Sequence, residues 1–340
     1  MTELPKLSIC IPTFERPVSL HNCLESIANA NLNFPFNFEV CISDNSESDS
    51  NIFLIDKYSS IFTIKYFHNP KNLGYAANFI NCVSMATGKF AWLVGDDDLI
   101  MPTAFEQFVK MQLSLPEVNF FYVNAFNLDR NFLEGFGVPF DTRNLPKNLS
   151  KFSNYKKSKE LKFRNLIQSK YSFDFLGGMF LSIFNRQMWV DHKNCISPDI
   201  PGEVVKFNNI DNTFPHTKIL ANTFMGERAY YSAEPLIVAV GGVRDWTRYY
   251  PLIRTFRFLD LLQEFRLNGL GWLAYQRNKN ASIKHLAYDC LYYFENRDET
   301  FPRIEIYRYI FANLLLPNLY YSVLRLIAGR VRQQIKRILG

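Results

Sequence analysis

The first hundred residues alternate between short apolar runs and segments whose apolar residues recur at helical spacing. The apolar runs cover residues 7–11, 38–43, 62–67 and 90–94, and the helical pattern covers 17–30, 49–58 and 75–87. Strands that alternate with helices predict an α/β fold, a parallel sheet with helices on both faces. Ligands bind such sheets beyond the carboxyl ends of the strands. The polar residues after each apolar run are therefore candidates for a functional site.

The remaining residues extend this pattern and then become helical. The sequence predicts helices at 103–113, 185–192 and 213–224, strands at 119–126, 175–184 and 235–240, a long loop or lid at 129–160 and irregular structure at 193–212. From about residue 252 the pattern is helical to the end. We therefore expect an α/β domain over residues 1–250, with halves at 1–105 and 106–250, and a helical region over 251–340.

Composition excludes some classes of protein. With 48% hydrophobic and 21% charged residues, the chain is not a disordered protein. The net charge of +6 permits an anionic partner such as a nucleotide or a phospholipid surface, and the lack of a recognised motif predicts no nucleic-acid partner. The six cysteines form no CxxC pair, which indicates a reducing compartment without disulfides or structural zinc. The first residues do not resemble a secretory leader, and no apolar run is long enough to predict a transmembrane helix.

Three consecutive aspartates, Asp96, Asp97 and Asp98, follow the apolar run at 90–94. Carboxylates this close repel one another unless a cation neutralises them. Because alternate residues turn to one side, Asp96 and Asp98 can meet a divalent ion while Asp97 contacts a sugar or caps a helix. Oxygen ligands suit Mg²⁺ or Mn²⁺, with a diphosphate completing the coordination. The alternative is an acidic turn that caps the helix starting near Pro102, but the position after a buried strand favours the metal site.

Two further segments end predicted strands or begin predicted helices. Asp44 ends the second strand and predicts a contact with a base or ribose, with an Asx turn as the alternative. Residues 69–78 contain neither a dinucleotide-binding GxGxxG pattern nor a P-loop.

Together these segments resemble a known family over roughly residues 5–105. The matching motifs are IPTFERP, ISDNSES and NPKNLGYAANFINCVSMATGKFAWLVGDDDLIMP. They resemble the nucleotide-sugar half of family 2 glycosyltransferases, which have the GT-A fold, a Rossmann-like, mixed and mainly parallel sheet flanked by helices. The three aspartates and the later FLGGMFLSIFNR are similar to bacterial transferases that build O-antigen and other surface polysaccharides, abequosyltransferases among them.

This resemblance implies transfer of a sugar from a nucleotide-diphosphate sugar to a saccharide, by single displacement with inversion. It implies nucleotide-sugar contacts from Pro12, Thr13, Phe14, Glu15, Asp44, Lys71, Asn78, Asp96 and Asp97. Phe14 would stack on the base or flank it, and Glu15 stands where the family often has Asn. Asp98, with Asp96, would hold the metal-bound diphosphate.

The acceptor half departs from the family pattern. The family's general base often lies in a Glu-Asp pair, and the corresponding stretch here, GEVVKFNNIDNTFPHTKIL, has none. Asp211 is the first candidate for the base that deprotonates the acceptor hydroxyl, with His216 and Glu203 behind it. Asp211 could equally cap the helix at 213–224, and His216 could be structural. The missing pair leaves the stereochemical outcome open.

Two other features concern the acceptor side. Gly177 and Gly178 resemble the family's acceptor-site glycines, which let a sugar approach the backbone, and a β-bulge is the alternative. Arg244 could screen the leaving diphosphate and Trp246 could stack on a sugar face. The alternative for this pair is an exposed loop.

The last residues combine apolar spacing with positive charge. From Tyr320 apolar residues recur at steps of three or four, basic residues lie between them and no acid occurs. A basic amphipathic helix is typical of membrane-surface binding, whereas a docked terminal helix is the alternative. Membrane binding would suit a lipid-linked acceptor and a peripheral location on the cytoplasmic face of the cell membrane.

Two rival functions remain. A sugar nucleotidyltransferase would carry a glycine-rich loop after the first strand, and PTFERP has no glycine. An inactive saccharide- or membrane-binding module is disfavoured by the intact aspartates, but the missing Glu-Asp pair keeps it open.

Overall fold

A computed structural model describes residues 6–197, 206–242 and 246–339, with side chains up to residue 334. The described residues form two compact units. One contains residues 6–197 and 215–242, and the other contains 206–214 and 246–339. The sequence predicted a division at residues 250 and 251, whereas the short segment 206–214 groups with the C-terminal residues.

The first unit is built on one sheet. Its strands are β1 (Leu7–Thr13), β2 (Phe38–Asp44), β3 (Thr63–His68), β4 (Phe90–Leu93), β5 (Leu99–Ile100), β6 (Phe120–Asp129), β7 (Ser150–Lys151), β8 (Lys159–Lys162), β9 (Ser182–Asn185) and β10 (Arg228–Gly241). Their order is β3-β2-β1-β4-β9-β6-β10-β5, with β7 on β6 and β8 on β10. Strands β1 to β4 pair in parallel, and β9 runs antiparallel to both β4 and β6. The expected mixed, mainly parallel sheet is confirmed.

Helices cover this sheet. They are α1 (Pro17–Asn33), α2 (Ile52–Ser59), α3 (Tyr75–Met85), α4 (Ala104–Ser114), the short α5 (Arg130–Leu133), α6 (Arg186–His192) and α7 (Pro215–Phe224). Leu20, Leu24 and Ile27 of α1 are fully buried, which confirms the helical spacing seen in the sequence. Strands β1 and β2 are buried along their whole length because both faces of the sheet are covered.

One predicted strand is wrong in its first part. Only Ser182–Asn185 is a strand, and residues 175–181 form a loop that ends in a 3₁₀ turn at Met179–Leu181. Phe175 and Leu176 have φ angles of 53° and 70°, in the left-handed region that a strand cannot contain. The sequence also missed β5, and β7 with the start of β8 lies in the segment expected to be a loop.

The second unit is helical, as predicted. Its helices are α8 (Tyr250–Leu252), α9 (Phe258–Leu267), α10 (Trp272–Ser282), α11 (Leu286–Asn296), α12 (Ile306–Phe311) and α13 (Pro317–Leu339). Leu261, Leu262 and Phe265 of α9 are fully buried. No helix among the described residues is both long and apolar enough to span a bilayer. The thiols of Cys10, Cys23, Cys41 and Cys82 are buried.

Candidate nucleotide-sugar and metal site

The three aspartates lie in a tight turn between β4 and β5, at the carboxyl end of β4. Their exposed fractions are only 5%, 6% and 4% for Asp96, Asp97 and Asp98. The turn is closed by Asp98 N, which donates to Gly95 O at 3.1 Å. A Cβ atom at Gly95 would lie 2.8 Å from Asp98 Oδ2 and 3.1 Å from Asp97 Oδ1. Glycine is therefore the residue that lets the backbone pass beneath these carboxylates.

Two arginines and a threonine face the first two aspartates. Thr13 Oγ1, at the end of β1, donates to Asp96 Oδ2 at 2.8 Å. Arg16 reaches both carboxylates, at 3.3 Å from Asp96 Oδ1 and 3.4 Å from Asp97 Oδ2. Arg130, which begins α5, lies 3.7 Å from Asp97 Oδ2. The turn thus joins the end of β1 to the loop after β6.

These contacts only partly offset the negative charge. Burial, and then the charge of Asp97, raises the pKa of Asp96 to about 6, although Arg16 and the Thr13 hydroxyl lower it. Ionised carboxylates that are removed from water beside a like charge are stabilised by a cation. The arrangement therefore favours binding of a cation from solution.

The donor atoms also fit a hard divalent ion. Asp98 Oδ1 accepts a hydrogen bond from Val240 N of β10 at 3.3 Å, which orients this carboxylate. Mg²⁺ is commonly held by one or two carboxylates together with phosphate oxygens of a substrate. Within the described ranges, no group of three or more His, Cys, Asp or Glu residues could hold an ion by itself. Among these residues the aspartates alone therefore do not make a complete metal site.

Asp44, at the end of β2, is fully buried. Its Oδ1 accepts from Ser46 N at 2.8 Å, which is the Asx turn considered as the alternative. Its Oδ2 accepts from Asn51 Nδ2 at 2.7 Å and Tyr66 Oη at 2.9 Å. The carboxylate thus fixes the loop that follows β2, beside the end of β1.

An amide network connects the ends of β1 and β2 with α3. Asn78 Nδ2 donates to Thr13 O at 3.2 Å, and Asn69 Nδ2 lies 3.3 Å from Asn78 Oδ1 and 2.9 Å from Asn45 Oδ1. Gly74, whose φ of 78° favours glycine, precedes α3. Thr13, Asp44 and Asn78, which the sequence predicted to bind the nucleotide-sugar, therefore lie together at one end of the sheet.

A cleft of about 380 Å³ lies next to this network. The cleft is lined by Ser46, Glu47, His68, Asn69, Pro70, Lys71 and Asn72. Lys71 therefore lines open space, and its contact with a nucleotide-sugar stays a prediction. Glu15 has a left-handed φ of 53°, and its N donates to Ser46 Oγ at 2.8 Å. Pro12 pairs with Ser43 within the sheet, and Phe14 is 41% exposed. The loop after β1 thus presents an aromatic ring to solvent.

The glycine pair belongs to a strained loop. Gly177 and Gly178 follow Phe175 and Leu176, both with positive φ. Asp174, which the sequence did not single out, lies under this loop, and a Cβ on Gly178 would lie 3.2 Å from its Oδ2. Burial raises the pKa of Asp174, while Ser172 and the glycine amides oppose the shift.

His216, in the first turn of α7, is anchored to the same loop. Its Nε2 donates to Gly177 O at 2.9 Å, and burial lowers its pKa to about 4. The ring is therefore neutral near pH 7, with a proton on Nε2. This geometry agrees with the structural role that the sequence left as an alternative, and the role of His216 as a base stays a prediction.

The remaining acceptor-side candidates belong to the second unit or are not described. Asp211 is 8% exposed within a turn whose Thr213 N and Phe214 N both donate to Ile210 O. Trp246 is 36% exposed, and its ring lies 6.3 Å from that of Tyr250. Glu203 and Arg244 lie outside the described residues.

Sequence analysis gave no specific role to three charged residues in this region. Arg16 lies among the polar residues after the first predicted strand that were marked as candidates, but no contact was predicted for it. Arg130 meets Asp97 only because β6 carries it there, and Asp174 is placed by the strained loop. Neither has a local sequence signal.

Comparison with known proteins gives a consistent result. Residues 8–166 match the model of glycosyl transferase family 2. The chain is 40% identical to abequosyltransferase RfbV of Salmonella typhimurium over 96 residues. This match covers 28% of each of the two proteins. Over 187 residues it is 27% identical to GalNAc(5)-diNAcBac-PP-undecaprenol beta-1,3-glucosyltransferase of Campylobacter jejuni, 54% of this chain and 53% of that protein. The matches thus span 28% and 53% of the length of these curated relatives.

Solved structures agree on the fold. TarS 1–349 of S. aureus in complex with UDP-GlcNAc has a TM-score of 0.58 at 17% identity, over 85% of this chain and 75% of that chain. The TarS 1–349 structure described without a ligand gives 0.57 at 16% identity, over 86% and 75%. This likeness shows the sheet architecture that the resemblance implied.

Proposed function

Residues 8–166 of this chain form a family 2 glycosyltransferase domain on a GT-A fold, and from this premise we propose that the protein is a metal-dependent glycosyltransferase. It moves a sugar from a nucleotide-diphosphate sugar to a saccharide acceptor. The observation that carries the proposal is the buried turn of Asp96, Asp97 and Asp98, joined to the end of β1 by Thr13 and Arg16.

The donor binds at the carboxyl ends of β1, β2 and β4. We assign the nucleotide and its sugar to Pro12, Thr13, Phe14, Glu15, Asp44, Lys71, Asn78, Asp96 and Asp97. The exposed ring of Phe14 and the cleft beside Lys71 support this assignment. Asp44 acts through the loop that its carboxylate fixes, or directly once a ligand displaces one of its partners.

Asp98 and Asp96 hold the metal ion, Mg²⁺ or Mn²⁺. When bound, such an ion offsets charge that develops on the leaving diphosphate. The turn keeps the carboxylates of Asp96 and Asp98 buried and close together, which would favour binding of the ion.

A base on the acceptor side removes the proton of the attacking hydroxyl. That oxygen forms a bond to the anomeric carbon while the bond from this carbon to the diphosphate oxygen breaks, which inverts the configuration. We assign the base to Asp211 first, with His216 and Glu203 as the other candidates. We assign Gly177 and Gly178 to the acceptor site, and we assign Arg244 and Trp246 to the diphosphate and the sugar.

A lipid-linked acceptor in O-antigen or other surface polysaccharide synthesis fits the C-terminal helix. The Campylobacter relative's name includes undecaprenol, a lipid carrier. Beyond Ser322, α13 exposes Val323, Leu324, Ile327 and Val331 to solvent, with Arg325 and Arg330 exposed between them. An apolar stripe flanked by cations suits the surface of an anionic membrane. We therefore place the enzyme on the cytoplasmic face of the cell membrane.

A donor-turnover assay tests the proposal. The full chain is incubated with UDP-, GDP-, CDP- and dTDP-sugars, with Mn²⁺ or with a chelator, and the released nucleoside diphosphate is measured. We expect metal-dependent release from one nucleotide class and its loss in Asp98→Ala. Donor binding without release, with or without lipid-linked saccharides, would favour the inactive binding module.

A further inference from the structure

The second unit contains a cavity of about 390 Å³ that the glycosyltransferase reaction does not use. It lies among α9, α10, α12 and the segment that precedes α12. Four of its lining residues are basic and two are acidic: Arg257, Lys279, Arg303 and Arg308, with Asp260 and Glu305. The excess positive charge makes it a candidate site for an anion.

Two of the four cations are paired within the cavity wall. Arg257 is 5% exposed, donates to Phe207 O at 2.8 Å and forms an ion pair with Asp260. Arg308 lies 2.5 Å from Glu305. These two pairs use both carboxylates, so the local excess charge comes from Lys279 and Arg303.

Lys279 is a buried ammonium group without a carboxylate partner in the described part of the chain. It is 8% exposed, and its Nζ donates to Ala312 O at 3.2 Å. Burial lowers the pKa of this group, as expected when charge is removed from water. A buried cation of this kind is stabilised by an anion that enters the cavity.

Asn313 adds an independent observation. It is 2% exposed and lines the cavity, and its buried Oδ1 accepts no hydrogen bond from any described residue. Its amide nitrogen already donates to Tyr309 O at 2.5 Å. Buried acceptor atoms nearly always accept a hydrogen bond. We therefore expect a ligand group such as a hydroxyl to donate to Asn313 Oδ1.

We propose that this cavity binds a phosphorylated polyol, with the phosphate facing Lys279 and Arg303 and a hydroxyl donating to Asn313. The volume equals that of about a dozen water molecules, which is enough for a phosphorylated monosaccharide. Two sources present this chemistry, a soluble sugar phosphate and the headgroup of a lipid such as phosphatidylinositol. All the residues of this site lie within the second unit, so a test of this proposal is independent of the proposed nucleotide-sugar site.

Calorimetry on the full chain tests the proposal, with glucose 1-phosphate as probe, glucose as the uncharged control and a chelator present to silence metal sites. We expect glucose 1-phosphate to bind and glucose not to bind. Lys279→Met should weaken binding by about tenfold or more, since it removes a charge-assisted contact. Lys284→Met, on an exposed lysine that follows the same helix, should bind as the wild type does.

A second variant keeps the test decisive if Lys279→Met does not fold. Arg303→Gln should also weaken binding, whereas Arg277→Gln, at an exposed arginine of α10, should not. Vesicles of phosphatidylcholine with and without phosphatidylinositol separate the two sources: Lys279→Met weakens the phosphatidylinositol-dependent binding only if the ligand is lipid-borne. Equal binding by wild type, Lys279→Met and Arg303→Gln in both assays would overturn the proposal.

Discussion

Thr13 Oγ1 donates a 2.8 Å hydrogen bond to Asp96 Oδ2, between residues 83 positions apart in the chain. This contact ties the end of β1 to the turn after β4, the two strand ends that would face a nucleotide-sugar. Burial still keeps the pKa of Asp96 at about 6. Arg16 contacts both Asp96 and Asp97, and Arg130 contacts Asp97, so two guanidinium groups face the first two carboxylates of the turn.

Thr13→Val tests the contribution of this contact. The change removes the donor and leaves a buried carboxylate oxygen less satisfied, so we expect the free energy of unfolding to fall by about 1–3 kcal/mol. Urea denaturation measures it. Thr63→Val, at the exposed start of β3, is the matched control and should change stability by less than about 0.5 kcal/mol. Equal stability of both variants would contradict the role of the hydrogen bond.

Gly95→Ala tests the geometry of the aspartate turn without removing a carboxylate. The new methyl group would lie 2.8 Å from Asp98 Oδ2, so that side chain must shift. We expect a folded protein whose Mn²⁺-dependent nucleotide binding is weaker by about tenfold or more, since small displacements in a site are costly. Gly226→Ala, where no atom lies within 4 Å of the added Cβ, is the control. Unchanged binding by Gly95→Ala would show that Asp98 does not position the ion.

His216 predicts a pH dependence of stability. Its pKa is lowered from 6.5 to about 4 by burial, so the unfolded chain binds more protons than the folded chain between these values. Stability is therefore full above 6.5 and is lost as the pH falls toward 4. Between about pH 7 and pH 4, wild type should lose about 3 kcal/mol more than His216→Gln, whose amide can still donate to Gly177 O. The free energy of unfolding of both proteins is measured by denaturant titration at each pH. If it changes with pH equally in wild type and His216→Gln, a buried neutral histidine is contradicted.

The sequence was most informative where one strand or helix determines the outcome. The runs at 7–11 and 90–94 became β1 and β4, and the polar residues after them lie at the predicted end of the sheet. The left-handed angles of Phe175 and Leu176 could not be predicted, because the surrounding loop and α7 impose them. Arg130 meets Asp97 through the pairing of distant strands, which no local pattern contains.

The exposed stripe on α13 predicts membrane binding. Leu324 and Ile327 are 65% and 55% exposed, so Leu324→Asp and Ile327→Asp should leave the fold intact. Burial of each side chain in a bilayer contributes about 1.5–3 kcal/mol, so each variant should bind phosphatidylglycerol vesicles about tenfold or more weakly. Leu273→Asp, on a leucine of α10 that is 78% exposed, is the control in the same cosedimentation assay. If all three variants bind as wild type does, α13 is not the membrane contact.

The most direct test of the account is nucleotide binding by calorimetry. UDP, GDP, CDP and dTDP are titrated with and without Mn²⁺ into wild type, Asp98→Ala and the control Asp56→Ala, which alters an exposed aspartate of α2. The account predicts that one nucleotide binds in a metal-dependent way to wild type and Asp56→Ala, and that Asp98→Ala loses this binding. Absence of binding to all four nucleotides, or equal binding by Asp98→Ala, would contradict the proposed donor and metal site.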